Sequence, residues 1–246
     1  MFFGNRTGLN GAGGALTLAP ILEDLYGMVS QIRIDGNRLI GNSAGTDAQA
    51  SLGGGIYVEK STGVVLSNNL AVSNISGLGG GFFLKGGTHV TGADILAVNN
   101  TLVTNQPSGI DACDWAQQPL EMINNIFVGH ALALKAGPCP ASGVAPTSLA
   151  AGYNPFYSNT ARIQSSGPLT ETGSVLGDPR FVSPAIGDYR LRENSPAVNA
   201  GDPRGIPPAP DHDIDKAKRP SGIRTDTGAY EAQIWTHRLY VPVIYH

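Results

Sequence analysis

The sequence has few charged residues and no long apolar run. Charged side chains make up 14% of the 246 residues, against about 25% in an average domain. The net charge of −3 provides no basic surface, which argues against nucleic acid as a partner. No apolar segment approaches the roughly 18 residues that a membrane-spanning helix requires. The hydrophobic fraction of 41% is nevertheless enough for a continuous core, so we do not expect a disordered chain.

Several site and targeting motifs are also absent. The five histidines show no ligand spacing with one another, which argues against a zinc site. The glycine triplets at 53–55 and 79–81 lack a following Lys-Ser or Lys-Thr, so they do not predict phosphate loops. The first residues, Met1 to Arg6, lack the charged start and long apolar stretch of a secretion signal.

Glycine and asparagine are plentiful, and they recur at regular distances. The chain has 33 glycines, and this fraction is roughly double the usual ~7%. Three Asn-Asn pairs precede short apolar runs, and their second members are Asn69, Asn100 and Asn125. The two glycine triplets also precede apolar runs, Ile56-Tyr57-Val58 and Phe82-Phe83-Leu84. Short strands repeating every 25 to 31 residues indicate a stack of repeats rather than one closed globule.

Asparagine has a physical role in such a stack. Its amide both donates and accepts hydrogen bonds, and its backbone tolerates left-handed angles at bends. We therefore expect the repeated asparagines to form a ladder of amide hydrogen bonds between successive turns. The apolar neighbours are expected to fill the interior of the stack. They are Leu70, Val72, Leu102, Val103, Ile126 and Val128. The alternative is a β-sandwich with asparagine-rich hairpins.

The repeats and the amino-acid composition divide the chain into three parts. Residues 1–136 carry the repeats, with a short helical insertion predicted near 20–29, where Pro20 precedes two acids and spaced apolar residues. Residues 137–231 are predicted to be a loop-rich closing segment and cap, because proline, serine and glycine are frequent and no repeat is evident. Residues 232–246 form a short apolar and aromatic tail. Since the repeats begin near Met1, we expect the chain to open inside a coil.

The last third of the chain contains the most specific motifs. They are Gly177-Asp178-Pro179-Arg180-Phe181, Asp188-Tyr189-Arg190-Leu191, Ser195-Pro196-Ala197, Asp211-His212-Asp213-Ile214-Asp215, Arg219-Pro220 and Asp226-Thr227-Gly228-Ala229-Tyr230-Glu231. In this order they resemble the C-terminal region of bacterial right-handed parallel β-helix proteins of the choice-of-anchor Q type, in the pectate-lyase-like superfamily. The resemblance covers residues 1–231, closely only after 177. It implies an N-terminally incomplete, all-β right-handed parallel β-helix and an extracellular or cell-surface location.

The cap motifs need no catalytic explanation. An open stack of strands leaves unpaired edges that invite aggregation unless they are covered, and terminal repeats of solenoids are accordingly atypical. We expect the acids of the cap, Asp178, Asp202, Asp226 and Glu231, to accept hydrogen bonds from turn amides. We expect the arginines of the cap, Arg180, Arg190, Arg192 and Arg219, to pair with those acids.

Enzymes of the β-helix superfamily suggest which residues to consider for catalysis. Its hydrolases use pairs of aspartates and its lyases use calcium with an arginine or lysine base, so the resemblance directs attention to acids and bases on one strand face. Asp111 and Asp114 are the best local acid pair, with Trp115 beside them to stack on a sugar ring. The candidate bases on nearby coils are Lys85, His89, His130 and Lys135. The chain lacks an adjacent Asp-Asp pair, Gly-His-Gly and Arg-x-Pro-x-x-Arg, motifs typical of those enzymes.

Two further features suggest ligands or cross-links. The alternating acids Asp211, Asp213 and Asp215 form a possible calcium site, although lysine stands where a calcium loop has glycine. Cys113 and Cys139 are about one repeat apart, so adjacent turns would bring them within disulfide reach if they share an edge. Unpaired cysteines are the alternative.

These observations favour a monomeric surface module that binds polysaccharide or serves as a structural or adhesive scaffold, without a required cofactor and without catalysis. One alternative is a polysaccharide lyase or glycoside hydrolase that acts on an acidic polysaccharide. The other is a truncated gene fragment without independent activity.

Overall fold

The computed structural model describes residues 1–6, 11–18, 32–47, 50–59, 63–86, 95–113, 120–139, 148–205 and 210–233. These residues form a parallel β-solenoid with three sheets. Sheet 1 contains β3 (Arg33–Asp35), β6 (Val64–Ser67), β9 (Ile95–Val98), β12 (Leu120–Ile123), β15 (Leu149–Gly152) and β18 (Leu169–Thr172). Sheet 2 contains β1 (Phe2–Phe3), β4 (Arg38–Ile40), β7 (Leu70–Val72), β10 (Thr101–Val103), β13 (Ile126–Val128), β16 (Pro155–Tyr157) and β19 (Val175–Leu176). Sheet 3 contains β2 (Leu16–Leu18), β5 (Ile56–Glu59), β8 (Phe82–Lys85), β11 (Ser108–Cys113), β14 (Leu132–Gly137) and β17 (Ala161–Ser165).

Each coil runs through sheet 1, then sheet 2, then sheet 3, and every strand pairs with its equivalent in the next coil. Leu70, Thr101 and Ile126, for example, occupy one register position in sheet 2. All strand pairings within these three sheets are parallel, as the repeat predicts. The stacked arrangement is therefore confirmed, and the β-sandwich alternative is wrong.

Left-handed turns of two residues join sheet 1 to sheet 2. The first residue of the turn has positive φ in successive coils. These residues are Gly36, Asn68, Asn99, Asn124, Tyr153 and Gly173, with φ between 51° and 69°. Asparagine adopts this conformation more readily than most residues that have a side chain. This requirement explains the first asparagine of each Asn-Asn pair.

The second asparagine of each pair points inward and forms the expected ladder. The Nδ2 of Asn69 donates to Oδ1 of Asn100 at 3.0 Å, and Asn100 donates in the same way to Asn125 at 2.9 Å. A second ladder lines the bend between sheets 2 and 3, where Asn42 donates to Asn74 and Asn74 donates to Asn105, both at 2.9 Å. Because all of these amides are buried, the ladders satisfy polar groups that water cannot reach.

The glycine triplets allow close approach between coils. Gly53 and Gly79 have positive φ of 65° and 60°. A Cβ on Gly80 would lie 2.2 Å from the carbonyl oxygen of Gln106, and one on Gly81 would lie 2.3 Å from that of Gly109. These contacts are too short for any side chain, so the triplets are strand entries, as expected.

The apolar core inside the solenoid contains fewer of the repeat residues than the sequence predicts. Leu102 packs inside the solenoid with Ile56, Phe82 and Ile110. The side chains of Leu70, Val72, Val103 and Ile126 are also buried, but they belong to a separate cluster with residues of the last third of the chain. The expectation that they fill the interior is wrong, because strand side chains alternate between faces and these project outward from sheet 2.

The solenoid continues beyond the predicted boundary at residue 136. The strands β15 to β19 pair in parallel with the preceding coil and extend the stack to Leu176. Tyr153-Asn154 and Ser158-Asn159 supply the two bends, each with a left-handed first residue. The sequence conceals this coil because neither bend contains an Asn-Asn pair.

The last third of the chain lies along the side of the solenoid instead of closing its end. We call residues 178–205 and 210–233 the strap. It begins with an antiparallel hairpin formed by β20 (Phe181–Ser183), η1 (Pro184–Ile186) and β21 (Asp188–Leu191). Phe181, Tyr189 and Tyr230 of the strap pack on the apolar outer face of sheet 2. The predicted role as an end cap is therefore corrected, because burying this exposed apolar face drives the docking.

The first asparagines of the Asn-Asn pairs also hold the strap. The Nδ2 of Asn68 donates to the His212 carbonyl at 2.8 Å, and that of Asn99 donates to the Asp226 carbonyl at 2.8 Å. The Oδ1 of Asn124 accepts the Asp202 amide at 2.9 Å. One asparagine of each pair thus fastens the strap while the other builds the ladder. The predicted helix near 20–29 and nearly all of the predicted tail at 232–246 lie outside the described residues.

Candidate functional site

The outer face of sheet 3 carries three of the four predicted catalytic residues that the structure describes. Tyr57, Phe83, Asp111 and Lys135 occupy one register position on successive coils. The rings of Tyr57 and Phe83 stack with centroids 5.9 Å apart. Only 4% of Tyr57 and 2% of Phe83 is exposed, so neither ring offers a free face to a ligand.

Asp111 is buried in this row. Its Oδ2 accepts the Gly79 amide at 3.0 Å, and only 4% of the residue is exposed. Burial raises the pKa of its carboxyl, although Lys135, Ser108 and the Gly79 amide act in the opposite direction. The carboxyl therefore stabilises the bend at Gly79 and does not line an open groove. Asp114 and Trp115, its predicted partners, lie outside the described residues.

Lys85 forms an ion pair instead of serving as a free base. Its Nζ lies 2.8 Å from Oε1 of Glu59, which occupies the neighbouring strand. The other oxygen of Glu59 accepts a hydrogen bond from the Tyr57 hydroxyl at 2.6 Å. This arrangement neutralises the lysine charge. His89 lies outside the described residues, and Lys135 is half-buried.

Cys113 and Cys139 form a disulfide with a Cα–Cα distance of 5.0 Å. Cys113 is the last residue of β11, and Cys139 follows β14 in the next coil. Both pack against Tyr57 and Phe83 in an apolar cluster outside sheet 3. The bridge therefore joins two adjacent coils on one edge, which is the geometry that their spacing suggested.

His130 occupies a rung of the second amide ladder. Its Nε2 lies 3.3 Å from Asn105 Nδ2, and its Nδ1 lies 3.0 Å from Asn159 Oδ1. A neutral imidazole with its proton on Nδ1 satisfies both contacts. Burial lowers the pKa of His130 to about 4, although the Asn159 contact acts in the opposite direction. The candidate base His130 thus occupies a ladder position that asparagine fills in other coils. The sequence contained a signal for this role, because His130 aligns in the repeat with Asn105.

The three acids of the predicted calcium site have separate partners. Asp211 contacts the His212 ring and has 95% of its side chain exposed. Asp213 is buried and accepts the backbone amides of Asp215, Ala217 and Glu231. Asp215 pairs with Arg38 on β4. Their carboxylates do not converge, and the described residues contain no group of three or more His, Cys, Asp or Glu side chains able to hold a metal.

The cap motifs meet in a buried cluster around Arg219. Its Nη1 lies 2.8 Å from Glu231 Oε2, and its Nη2 donates to the Gly228 carbonyl at 2.7 Å. Asp226 accepts the Asn199 and Ala232 amides, each at 2.7 Å. Burial, with the nearby Glu231 charge, raises the pKa of Asp226 to about 6. These groups fasten the strap and are closed to substrate.

A cleft of about 450 Å³ opens between the strap hairpin and sheet 2. Its floor is formed by Val103, Val128 and Tyr157, which are in register on β10, β13 and β16. Its wall comes from the strap. The wall residues are Asp178, Pro179, Arg180, Phe181, Pro184, Tyr189, Arg192 and Asn194. Tyr157 is 40% exposed, so part of its ring is open to a ligand.

The parallel solenoid agrees with the comparison against known families. The family model for the right-handed β-helix region matches residues 22–161, which is more than half of the chain. The chain belongs to this right-handed β-helix family. No curated protein and no solved structure matches the sequence.

In this right-handed β-helix, three of the predicted catalytic residues are already used by the fold. His130 belongs to a ladder, Asp111 to a bend and Lys85 to an ion pair. The arginines of the strap differ from one another. Arg219 pairs with Glu231 as expected, whereas Arg180 and Arg192 form no ion pair with a described carboxylate.

The described residues contain no helix long and apolar enough to cross a membrane.

Sequence reasoning missed the cleft. Tyr157 was not singled out, although it follows Asn154 as Val128 follows Asn125 and therefore occupies the equivalent outward position. Arg180 and Arg192 were expected to pair with acids of the strap. The repeat could have predicted the outward direction of Tyr157, but it contains no information about which segment faces it.

Proposed function

We propose that this β-helix is a non-catalytic module of an extracellular surface that binds polysaccharide and holds it against a rigid scaffold. The contrast between two regions carries the proposal. The predicted acids and bases that the structure describes are mainly buried or paired, whereas the cleft beside the strap is open and has aromatic, apolar and cationic walls. A pocket with an apolar floor and a few polar groups is the usual form of a small-ligand site.

The scaffold supports this role through its rigidity. Sheet 2 is fixed by pairing on both sides of β10, β13 and β16, and the strap is fastened at three successive asparagine turns. A preformed site loses little conformational freedom when it binds an extended chain. No cofactor is needed for binding of this kind.

Binding and catalysis can be measured on the same samples. The protein would be incubated with pectate, alginate, chondroitin and neutral glucans, and each mixture assayed for unsaturated products and new reducing ends. Affinity electrophoresis through gels containing each polysaccharide would report binding. We expect retardation in at least one gel and no product above the heat-inactivated control.

Product formation would instead favour the lyase or hydrolase alternative, with Asp111 as the first residue to substitute because its pKa is raised by burial. Absence of both binding and product would contradict the proposal.

A further inference from the structure

Arg180 and Arg192 both line the cleft, and neither forms an ion pair with a carboxylate among the described residues. Other strap arginines pair with acids, as in Arg190–Asp188, Arg204–Asp202 and Arg219–Glu231. Arg180 donates one guanidinium hydrogen bond, from Nη1 to the Asn194 carbonyl at 2.9 Å. A guanidinium has five N–H donors, so most of those on Arg180 have no partner among the residues that the structure describes. The cleft therefore contains cationic hydrogen-bond donors that are not used by contacts among the described residues.

Arg192 combines a structural contact with spare donors. Its Nε donates to the Phe181 carbonyl at 3.2 Å and its Nη2 to the Val182 carbonyl at 2.7 Å. These bonds lie across the hairpin, parallel to the backbone bond from the Arg192 amide to the Arg180 carbonyl. The guanidinium is thus held in place, and Arg192 lines the cleft together with Arg180.

One acid also lines the cleft. Asp178 uses Oδ1 to accept the Arg180 backbone amide at 2.8 Å. It forms no ion pair with either guanidinium. Two arginines and one aspartate leave an excess of positive charge, which favours an anionic group over a neutral one.

The backbone of Arg180 adopts a left-handed conformation. Its φ is 52°, a left-handed value that is uncommon for residues other than glycine, asparagine and aspartate. The Asp178 contact to its amide stabilises this bend, and Ser195 donates to the adjacent Pro179 carbonyl at 2.5 Å. A backbone held in an unfavourable region by its surroundings is a feature found at ligand-binding sites.

From these observations we propose that the cleft binds one acidic sugar unit of an oligosaccharide. The carboxylate contacts the open N–H groups of Arg180 and Arg192, and the sugar ring packs on the exposed part of Tyr157 above Val128. Planar guanidinium groups match a carboxylate with paired hydrogen bonds, which explains arginine at these positions. This inference rests on the proposed polysaccharide-binding function and assigns a site and a ligand chemistry to it.

The test uses variants that leave the hairpin intact. Arg180→Gln removes the charge and keeps a polar side chain, and Tyr157→Ala removes the ring from a partly exposed position. Arg224→Gln removes one positive charge from an exposed strap residue outside the cleft lining and serves as the matched control. Circular dichroism and thermal melting would verify that all three variants fold.

Isothermal titration with short oligogalacturonates, sulfated oligosaccharides and neutral cello-oligosaccharides separates the possibilities. We expect Arg180→Gln to weaken oligogalacturonate binding about 10- to 100-fold, the loss of one or two charge-assisted hydrogen bonds. Tyr157→Ala should also weaken binding, and Arg224→Gln should leave it within about twofold. Added salt should weaken binding to the wild type.

Distinct results would overturn the site and the function. Undiminished oligogalacturonate binding by Arg180→Gln and Tyr157→Ala would refute the cleft while leaving polysaccharide binding intact. Equal binding of neutral oligosaccharides would refute the requirement for an acidic sugar, and preference for sulfated ligands would refute the carboxylate. Absence of binding to any saccharide would reject the proposed function itself.

Discussion

The imidazole of His130 replaces an amide in the ladder, with its Nε2 3.3 Å from Asn105 Nδ2. Other bends between sheets 2 and 3 have asparagine at this position, at Asn42, Asn74 and Asn159. The ladder accepts histidine only in its neutral form, because Nε2 must receive a hydrogen bond and the surroundings are buried. Protonation would place an unpaired charge inside the solenoid.

His130 should therefore make the protein sensitive to acid. Its folded pKa of about 4 lies below the ordinary histidine value of 6.5, so the unfolded chain binds the proton first. Its contribution to stability is complete above pH 6.5 and is lost as the pH falls towards 4, by roughly 3 kcal/mol. Urea unfolding of the wild type and His130→Asn at several pH values would measure the difference. His212→Asn is the control, and parallel curves for wild type and His130→Asn would contradict the prediction.

Asp226 should act in the opposite direction. Its folded pKa of about 6 exceeds the ordinary aspartate value of 3.8, so the folded state binds the proton first. The free energy of unfolding should therefore fall as the pH rises from about 4 to 6, by roughly 3 kcal/mol from this group alone. An NMR titration of the Asp226 carboxyl is the direct measurement. A midpoint near 4 would show that Glu231 and burial do not perturb this group as described.

Removing the partner of Arg219 should loosen the strap. Glu231→Gln would leave a buried guanidinium without its counter-charge, a change that typically costs about 3–5 kcal/mol. Limited proteolysis should cleave the variant within the strap faster than the wild type. Glu193→Gln, at an exposed strap position, is the matched control. Equal cleavage of the Glu231 and Glu193 variants would show that the ion pair does not hold the strap.

Calcium should not stabilise the protein through Asp211, Asp213 and Asp215. Asp213 already accepts three backbone amides and Asp215 already pairs with Arg38, so a cation would have to displace existing contacts. We expect the melting temperature to be the same in calcium and in chelator. A higher melting temperature in calcium that disappears in Asp211→Asn would revive the predicted site.

Much of the solenoid could be predicted because its rules are local. Asn68 and Asn69 illustrate this: the first residue adopts φ of 51° and the second supplies a ladder amide. Each property depends on one side chain and its own backbone. The same residue type therefore recurs at the same place in each repeat of the sequence. The coil around Tyr153 and Asn154 escaped prediction because a tyrosine occupies the left-handed position.

The candidate site could not be predicted in the same way. Leu70, Val103 and Ile126 look like interior residues because they are apolar, and only the tertiary structure shows that the strap covers the outward face on which they lie. Asp211, Asp213 and Asp215 are close in sequence, yet each carboxylate contacts a different set of groups in the structure. Local spacing cannot specify partners that arrive from distant parts of the chain.

The amino-acid sequence alone thus determined the stacking of coils, the amide ladders and the close approach at the glycine triplets, because each depends on the conformational preference and hydrogen bonding of one residue type. The tertiary structure decided that the last third lies along sheet 2, which acids become buried, and that Arg180 and Tyr157 line one cleft. Those outcomes depend on burying an apolar face between segments far apart in sequence, and this packing has no local signature.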